Sequence, residues 1–173
     1  EAYIDFVDDD FIPNISLDKK NVIRMRTFSK AYGMAGLRVG YAIGAKDLIM
    51  NFEKIRNHFG MSRISQVGAL AALEDYAFIN DVVNKVKLSR NRIIEIGNSN
   101  NCKFIPSFTN FVAIDCLKDS KFAKKVLENL INNGVFVRMP YSYPQNRCIR
   151  VTVGLDKDID LFEKYFPVAL KES

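Results

Sequence analysis

The stretch TFSKAYGMAGLRVGYAIG, residues 27–44, places a lysine directly after a serine and shortly before an apolar, strand-like segment. Three glycines follow the lysine: Gly33, Gly36 and Gly40. Arg38 stands eight residues after Lys30. Glycines let a backbone approach an anion closely, and the planar guanidinium of arginine suits a phosphate group. The stretch matches neither G-x-x-x-x-G-K-[ST] nor G-x-G-x-x-G, so it is not one of the common nucleotide-binding loops.

Lys30 can act as a nucleophile only in its unprotonated form, and the reference pKa of lysine is about 10.4. Arg38 could lower that pKa through its charge, or it could hold a phosphate. Thr27 and Ser29 add hydroxyl groups beside the lysine. A phosphorylated aldehyde that forms a Schiff base would use all of these groups, and pyridoxal 5′-phosphate is such a molecule. The residues alone leave open that Lys30 is an exposed loop lysine and Arg38 a surface charge.

Composition is that of an ordinary globular protein. The chain has 173 residues, of which 48% are hydrophobic and 26% charged, enough for one sizeable domain or two small ones. The net charge is +5, but basic and acidic residues are interleaved, which is typical of solvated surfaces rather than of a nucleic-acid-binding face. No apolar run approaches the roughly 18 residues that span a bilayer. Neither a nucleic-acid partner nor a membrane partner is predicted.

The cysteines and the histidine predict no metal site. The three cysteines are Cys102, Cys116 and Cys148, and their odd number and wide spacing indicate buried free thiols in a reducing compartment. His58 is the one histidine and has no metal-ligating neighbour in the sequence. The chain begins with EAYIDF rather than with methionine, and we expect it to be part of a longer protein.

The apolar pattern divides the chain into two regions, 1–80 and 81–173. Strands are predicted near 1–7, 21–29 and 37–44, and helices over 45–59, 65–75 and 78–97. From residue 100 the predicted order is β-α-β-β-α. Its clearest elements are a strand at 111–115, a helix from 120 ended by Gly134, strands at 135–138 and 148–155, and a last helix from Asp156. Asp119 or Ser120 is predicted to cap the helix at 120.

The stretch at 27–44 resembles the pyridoxal-phosphate attachment segment of class I/II (fold-type I) aminotransferases, and is most similar to the histidinol-phosphate aminotransferase branch. The resemblance rests on S-K followed by A-G-L-R-x-G-Y. Three further blocks occur in the family's order: EAYIDF at 1–6, NFVAID at 110–115 and VRMPYSYPQNRCIRVTVG at 137–154. The implied fold class is α/β, the C-terminal part of a fold-type I PLP-dependent transferase. Region 1–80 would end the large PLP-binding domain, and region 81–173 would be a linking helix and a small α+β domain.

The resemblance also implies roles for individual residues around the cofactor, pyridoxal 5′-phosphate. Lys30 would bind the cofactor covalently and would then serve as the base that moves a proton at the substrate. Arg38 and Ser29 would hold the cofactor phosphate, with Thr27 as a weaker candidate. Tyr3 would donate a hydrogen bond to the 3′-oxygen of the pyridine ring.

Two arginines are implied to bind substrate. Arg150 would clamp the anionic group of the amino donor or acceptor, and Arg138 would bind the substrate phosphate. The aspartate that pairs with the pyridine nitrogen in the family would come just before Glu1, outside this sequence. The chain alone is therefore expected to be incomplete as an enzyme.

The implied function is transamination of histidinol phosphate with 2-oxoglutarate, giving imidazole-acetol phosphate and glutamate, in histidine biosynthesis. The amino donor and the oxo acceptor would be small molecules, and the enzyme would be a cytoplasmic homodimer. An aromatic amino acid aminotransferase and a decarboxylase of the threonine-phosphate type remain alternatives within the resemblance. Two non-enzymatic alternatives are a basic binding module and a pyridoxal-binding regulatory domain joined to a DNA-binding module.

Overall fold

A computed structural model describes residues 1–173. Packing divides the chain into two compact units, Glu1–Val83 and Asn84–Ser173, which are described separately here as unit 1 and unit 2. The helices are α1 Lys46–Phe52, α2 Arg63–Glu74, α3 Tyr76–Ser99, α4 Ser120–Asn132 and α5 Asp156–Lys171. The strands are β1 Ile23–Thr27, β2 Gly40–Gly44, β3 Lys103–Ile105, β4 Phe111–Asp115 and β5 Cys148–Thr152. None of the helices is both long and apolar enough to cross a membrane.

Unit 1 is built around an antiparallel ribbon in which β1 pairs with β2, and Thr27 lies opposite Gly40. The segment between the two strands contains a short 3-10 turn at Ala35–Leu37. The small buried core of unit 1 consists of Phe28, Val39 and Ala69. The predicted strands at 21–29 and 37–44 are thus confirmed, each shorter than its apolar pattern.

The predicted strand near residues 1–7 is wrong. Ile4–Phe6 is a 3-10 turn, in which the backbone amides bond back three residues, from Ile4 to Glu1 (3.3 Å) and from Phe6 to Tyr3 (3.0 Å). Phe6 is the one buried residue of the turn. An alternating pattern this short fits a turn that buries one aromatic ring as well as it fits a strand.

Helix α1 is shorter than predicted, because the apolar stripe expected over 45–59 is not buried along its whole length. The helix ends at Phe52, and the Ile55 side chain is 82% exposed. Beyond it, the amide of Phe59 donates to Asn57 Oδ1 at 3.1 Å, a local bond that competes with helical bonding.

Unit 2 contains a three-stranded antiparallel sheet with strand order β3-β4-β5. The observed order of elements is β-β-α-β-α rather than the predicted β-α-β-β-α. The two orders differ at two places. Lys103–Ile105 is a separate strand ahead of β4, so two strands rather than one precede α4. Val135–Arg138, which was predicted as a strand, is not one. Only Arg138 pairs with the sheet there, through an isolated bridge to Arg150. Pro140 follows closely and offers no backbone donor, so the pairing cannot extend.

The core of unit 2 lies on one face of this sheet. Val112 and Ile114 alternate inward along β4, and Ile149 and Val151 do so along β5. Helices α3, α4 and α5 contribute the rest of the core: Ile93, Ile96, Ala123, Val126, Leu130, Ile159, Phe162, Phe166 and Ala169. Because successive strand residues point to opposite faces, Arg150 lies on the face away from the core.

Local signals set both ends of α4 as predicted. Asp119 Oδ1 accepts a hydrogen bond from the amide of Phe122 at 2.9 Å, which is an N-cap. At the other end Gly134 has φ of +79°, and the amide of Val135 donates to the carbonyl of Leu130 at 2.9 Å.

The three cysteines are free and buried, as predicted. They lie near one another at one end of the sheet. Cys102 directly precedes β3, Cys116 directly follows β4, and Cys148 is the first residue of β5. Burial raises the pKa of the Cys116 thiol to about 12, and the neighbouring thiols act in the same direction. Burial likewise raises the pKa of Cys102 and of Cys148. Thiols with raised pKa values are poor nucleophiles.

Candidate active site

The loop that carries Lys30 is anchored on both sides of the lysine. Phe28 and Ala31 are each only 2% exposed, whereas Lys30 itself is exposed. The turn that contains Lys30 is closed by a hydrogen bond from the amide of Gly33 to the Lys30 carbonyl, at 3.0 Å. Gly33 has φ of +68°, a conformation that glycine adopts without strain. Buried neighbours therefore hold the lysine in place while its amine faces outward.

Tyr3 is brought to Lys30 by the fold. The Lys30 Nζ atom lies 5.4 Å from the centroid of the Tyr3 ring, within the range of a cation–π contact. These residues are distant in sequence, yet both were singled out as cofactor-binding candidates. Their contact places an amine and a phenol at the same spot on unit 1.

Thr27 and Ser29 form a local turn. The amide of Ser29 donates to Thr27 Oγ1 at 3.1 Å, which fixes the Thr27 side chain against the start of the loop. The oxygen of Thr27 thus accepts a local hydrogen bond, and its hydroxyl proton stays available as a donor.

Arg38 lies at the far end of the same loop. Just beyond the paired strands, the Phe28 amide donates to the Val39 carbonyl at 3.3 Å. The residues that follow this pair on the two sides of the loop are Ser29 and Arg38. Arg38 has φ of +50° and ψ of +49°, the left-handed region, which is unusual for a residue with a side chain. Its Nη1 donates to the carbonyl of Ala35 at 2.8 Å. That bond uses one of the five N–H donors of the guanidinium.

Charged residues on β1 form an ion-pair cluster that the sequence did not reveal as one. Glu1 accepts hydrogen bonds from Arg24 Nε at 2.6 Å and from Arg26 Nε at 3.0 Å. Partial burial acts to raise the pKa of Glu1, but the bonds from Arg24 and Arg26 outweigh it and the pKa is lowered. Arg26 is also hydrogen-bonded to Tyr41, its cross-strand neighbour.

Arg138 and Arg150 lie together in unit 2. Their backbones exchange two hydrogen bonds, of 3.1 and 2.6 Å. Both side chains line a groove of about 800 Å³, which also contains Lys124. The apolar part of its lining consists of Leu127, Ile131, Phe136, Val137, Met139, Pro140 and Tyr141. Three cations over an apolar wall suit an anion that carries an apolar body.

The Arg150 side chain is partly desolvated. Its guanidinium carbon lies 4.9 Å from the centroid of the Phe111 ring. Its Nε atom is buried and has no hydrogen-bond partner. A buried donor without a partner is costly, and such a group in a groove is a candidate for ligand binding.

One further residue of unit 1 escaped the sequence reasoning. Ser65, on α2, is 4% exposed, and its Oγ donates to the carbonyl of Leu37 at 2.7 Å, next to Arg38. The one available signal was its place in the first turn of α2, three residues after the capping Ser62.

Comparison with known proteins identifies the family of this chain. Residues 1–161 match the family model "Aminotransferase class I and II". The chain belongs to this family. The match confirms the resemblance drawn from 27–44 and the predicted fold class, because the chain is mixed α/β and covers part of the fold-type I aminotransferase fold.

A curated relative is the histidinol-phosphate aminotransferase of Staphylococcus epidermidis, which is 40% identical over 158 residues. That alignment covers 90% of this chain and 42% of the relative. The chain thus spans about two fifths of the length of the curated relatives it matches.

A solved structure of histidinol-phosphate aminotransferase from Sinorhizobium meliloti, in complex with pyridoxal-5′-phosphate, superposes with a TM-score of 0.94 at 44% identity. The superposition covers 99% of this chain and 48% of the Sinorhizobium meliloti chain. L-threonine-O-3-phosphate decarboxylase from Porphyromonas gingivalis superposes with a TM-score of 0.79 at 21% identity, over 99% of this chain and 54% of that one. At that identity the second likeness concerns the fold alone.

Proposed function

We propose that this chain is part of a pyridoxal-phosphate-dependent aminotransferase that acts on histidinol phosphate and 2-oxoglutarate and releases imidazole-acetol phosphate and glutamate. The observation that carries the proposal is that Lys30, which lies on an anchored loop, contacts the ring of Tyr3. It gains support from relatives that bear the name histidinol-phosphate aminotransferase and from the neighbour solved with pyridoxal-5′-phosphate.

The residues of unit 1 fit this cofactor. Lys30 offers an exposed amine beside the phenol of Tyr3. Arg38 keeps most of its N–H donors for an anion after its one bond to Ala35. We assign Lys30 as the residue that holds the cofactor covalently, and Arg38 with Ser29 as the residues that hold its phosphate, with Thr27 in a supporting role. When bound, pyridoxal 5′-phosphate supplies an aldehyde that joins an amine and a ring that withdraws electrons from the substrate Cα.

Lys30 is also the proposed base. When not occupied by the cofactor, its Nζ would take the proton from the substrate Cα and give it to the former aldehyde carbon, so that the lysine ends the transfer as it began. Anchoring by Phe28 and Ala31 limits how far this amine can move, which favours a short proton transfer. Tyr3 is the proposed hydrogen-bond donor to the ring oxygen of the cofactor, next to the lysine.

Arg138 and Arg150 are the proposed substrate-binding residues. A guanidinium binds a carboxylate or a phosphate through paired N–H donors. Two arginines in one groove therefore suit a pair of substrates, one of which carries a carboxylate and the other a phosphate. We assign Arg150 to the carboxylate of the amino acid partner and Arg138 to the phosphate of histidinol phosphate. The apolar wall of the groove would take the non-ionic part of the substrate.

The assembly and setting of the complete protein are proposed from the family alone. A homodimer in the cytoplasm that serves histidine biosynthesis is the arrangement that the resemblance implies. No nucleic acid or membrane is involved in this proposal.

The test is glutamate formation from histidinol phosphate and 2-oxoglutarate, with the longest natural chain that carries these residues. We expect turnover that is abolished in Lys30→Ala. Arg138→Ala should raise the KM for histidinol phosphate far more than that for an aromatic amino acid, which lacks the phosphate. Carbon dioxide release from threonine phosphate without glutamate formation would refute the transaminase assignment.

A further inference from the structure

A hydrogen bond from α2 fixes the peptide unit that leads into Arg38. Ser65 Oγ donates to the carbonyl of Leu37 at 2.7 Å, and that carbonyl belongs to the peptide joining Leu37 to Arg38. Ser65 is 4% exposed and is one of two buried polar or charged residues in the chain. A buried hydroxyl with a directed bond to a loop carbonyl holds the loop more firmly than a surface contact does.

The direction of this hydrogen-bond chain follows from counting protons. Ser65 has one hydroxyl proton, which goes to Leu37, so the contact of 2.9 Å between the two serine hydroxyls is donated by Ser62. Ser62 in turn accepts from the amide of Ser65 at 3.0 Å, as the N-cap of α2. Of the two serines, Ser65 is the one that bonds to the loop.

Arg38 needs such support because its backbone is in the left-handed region, at φ of +50°. A residue with a side chain persists there only where its surroundings hold it. Packing adds to the hydrogen bond, since a methyl group built on Gly68 would approach Leu37 Cδ1 and Met34 Cε to 3.3 Å. Helix α2 therefore lies close against the turn that precedes Arg38.

We propose that Ser65 is a positioning residue that presents the Arg38 guanidinium to the cofactor phosphate. It does so by holding the Leu37–Arg38 peptide, and it does not itself contact the cofactor. The inference rests on the proposed function, in which Arg38 binds that phosphate.

The experiment compares two ligands that differ only in the phosphate. Dissociation constants for pyridoxal 5′-phosphate and for pyridoxal are measured by absorbance, on the cofactor-free form of the longest natural chain, without substrate. Ser65→Ala should weaken pyridoxal 5′-phosphate binding about tenfold, the order expected from losing one buried hydrogen bond, and should leave pyridoxal binding within about twofold. Ser65→Cys, which keeps the size and a weaker donor, should lie between the two proteins.

The matched control is Ser62→Ala. It removes the other hydroxyl of the pair and the N-cap, but leaves the bond from Ser65 to Leu37 in place. It should lower the urea midpoint of unfolding and leave the affinities for both ligands unchanged. A double-mutant cycle with Arg38→Gln adds a second readout, because Ser65→Ala should have no further effect once the arginine is gone.

Three results with Ser65→Ala would overturn the proposal: unchanged pyridoxal 5′-phosphate affinity, equal weakening of both ligands, or a full additional loss in the Arg38→Gln background. If the unmodified protein bound both ligands equally, the phosphate role of Arg38 would fail and the proposal with it. If Arg38→Gln lost the preference for the phosphate while Ser65→Ala kept it, the role of Ser65 alone would fail.

Discussion

At the scale of single residues, the position of Lys30 depends on its neighbours rather than on its own contacts. Phe28 and Ala31 are buried on either side of it, and Gly33 closes the turn with a positive φ. The ring of Phe28 packs 5.0 Å from Tyr32 and 5.5 Å from Tyr41, centroid to centroid. Packing of these buried neighbours therefore stabilises the loop, while Lys30 itself remains exposed.

Gly40 is the glycine of this segment at which the paired strands leave no room for a side chain. A Cβ at this position would lie 2.6 Å from the backbone carbonyl oxygen of Arg26, on the paired strand. Gly40→Ala should lower the free energy of unfolding by about 1–3 kcal/mol, because two strands must move apart. Urea unfolding followed by circular dichroism measures this loss.

Gly36→Ala is the control for that substitution. Nothing lies within 4 Å of a Cβ at Gly36, and its φ is not positive, so alanine should be neutral or stabilising by about 0.4–1 kcal/mol. Equal stability of Gly40→Ala and the unmodified protein would show that β1 and β2 are not paired as described.

Sequence reasoning selects residues that stand in a recognisable motif, and it does not find residues whose contacts arise only from the fold. Lys30, Ser29 and Arg38 stand in one motif, so their pattern could be recognised. Ser65 lies 28 residues from Leu37 along the chain, and a serine in the first turn of a helix usually indicates capping alone. The roles assigned to the seven candidate residues remain predictions, of which the variants at Lys30, Arg38 and Arg138 test three.

At the scale of elements, helices with one well-buried stripe were predicted well. Helix α4 buries Ala123, Val126 and Leu130 on one side and has a cap at each end, and each of these features can be read from the sequence. The predictions failed at 1–7 and at 135–138, where a strand pattern has no neighbour to pair with along its length. Strand formation depends on a partner, which the local sequence does not specify.

The N-cap of α4 gives a prediction at this scale. Asp119→Ala removes the acceptor for the Phe122 amide and should lower the free energy of unfolding by about 1 kcal/mol. Lys121→Ala, at an exposed position of the same helical turn, should change it by less than about 0.5 kcal/mol. Equal effects of the two substitutions in urea unfolding would contradict the cap.

At the scale of the whole molecule, the buried thiols link stability to alkaline pH. The pKa of Cys116 rises from 9.0 to about 12 on folding, chiefly through burial. The unfolded chain therefore loses this proton at lower pH than the folded chain, so the folded state binds more protons between about pH 9 and pH 12. The free energy of unfolding should consequently fall as pH rises through that window.

Comparison with Cys116→Ala isolates the thiol from the tyrosines and lysines that also titrate there. The variant should lose less stability between pH 8 and pH 11 than the unmodified protein does, although its stability at pH 8 is lower because the substitution leaves a small cavity. Parallel pH profiles of the two proteins would contradict a buried, protonated Cys116. Iodoacetamide should likewise label Cys116 at pH 8 only after urea has unfolded the chain.

The central claim is that Lys30 is the residue that binds pyridoxal 5′-phosphate covalently. The most direct measurement uses the longest natural chain that carries these residues, mixed with the cofactor, reduced with borohydride, digested and mapped by mass spectrometry. The account predicts that the reduced cofactor is found on the peptide containing Lys30, and that Lys30→Ala shows no label at any lysine. A label on a different lysine in the unmodified protein, or no label at all, would contradict it.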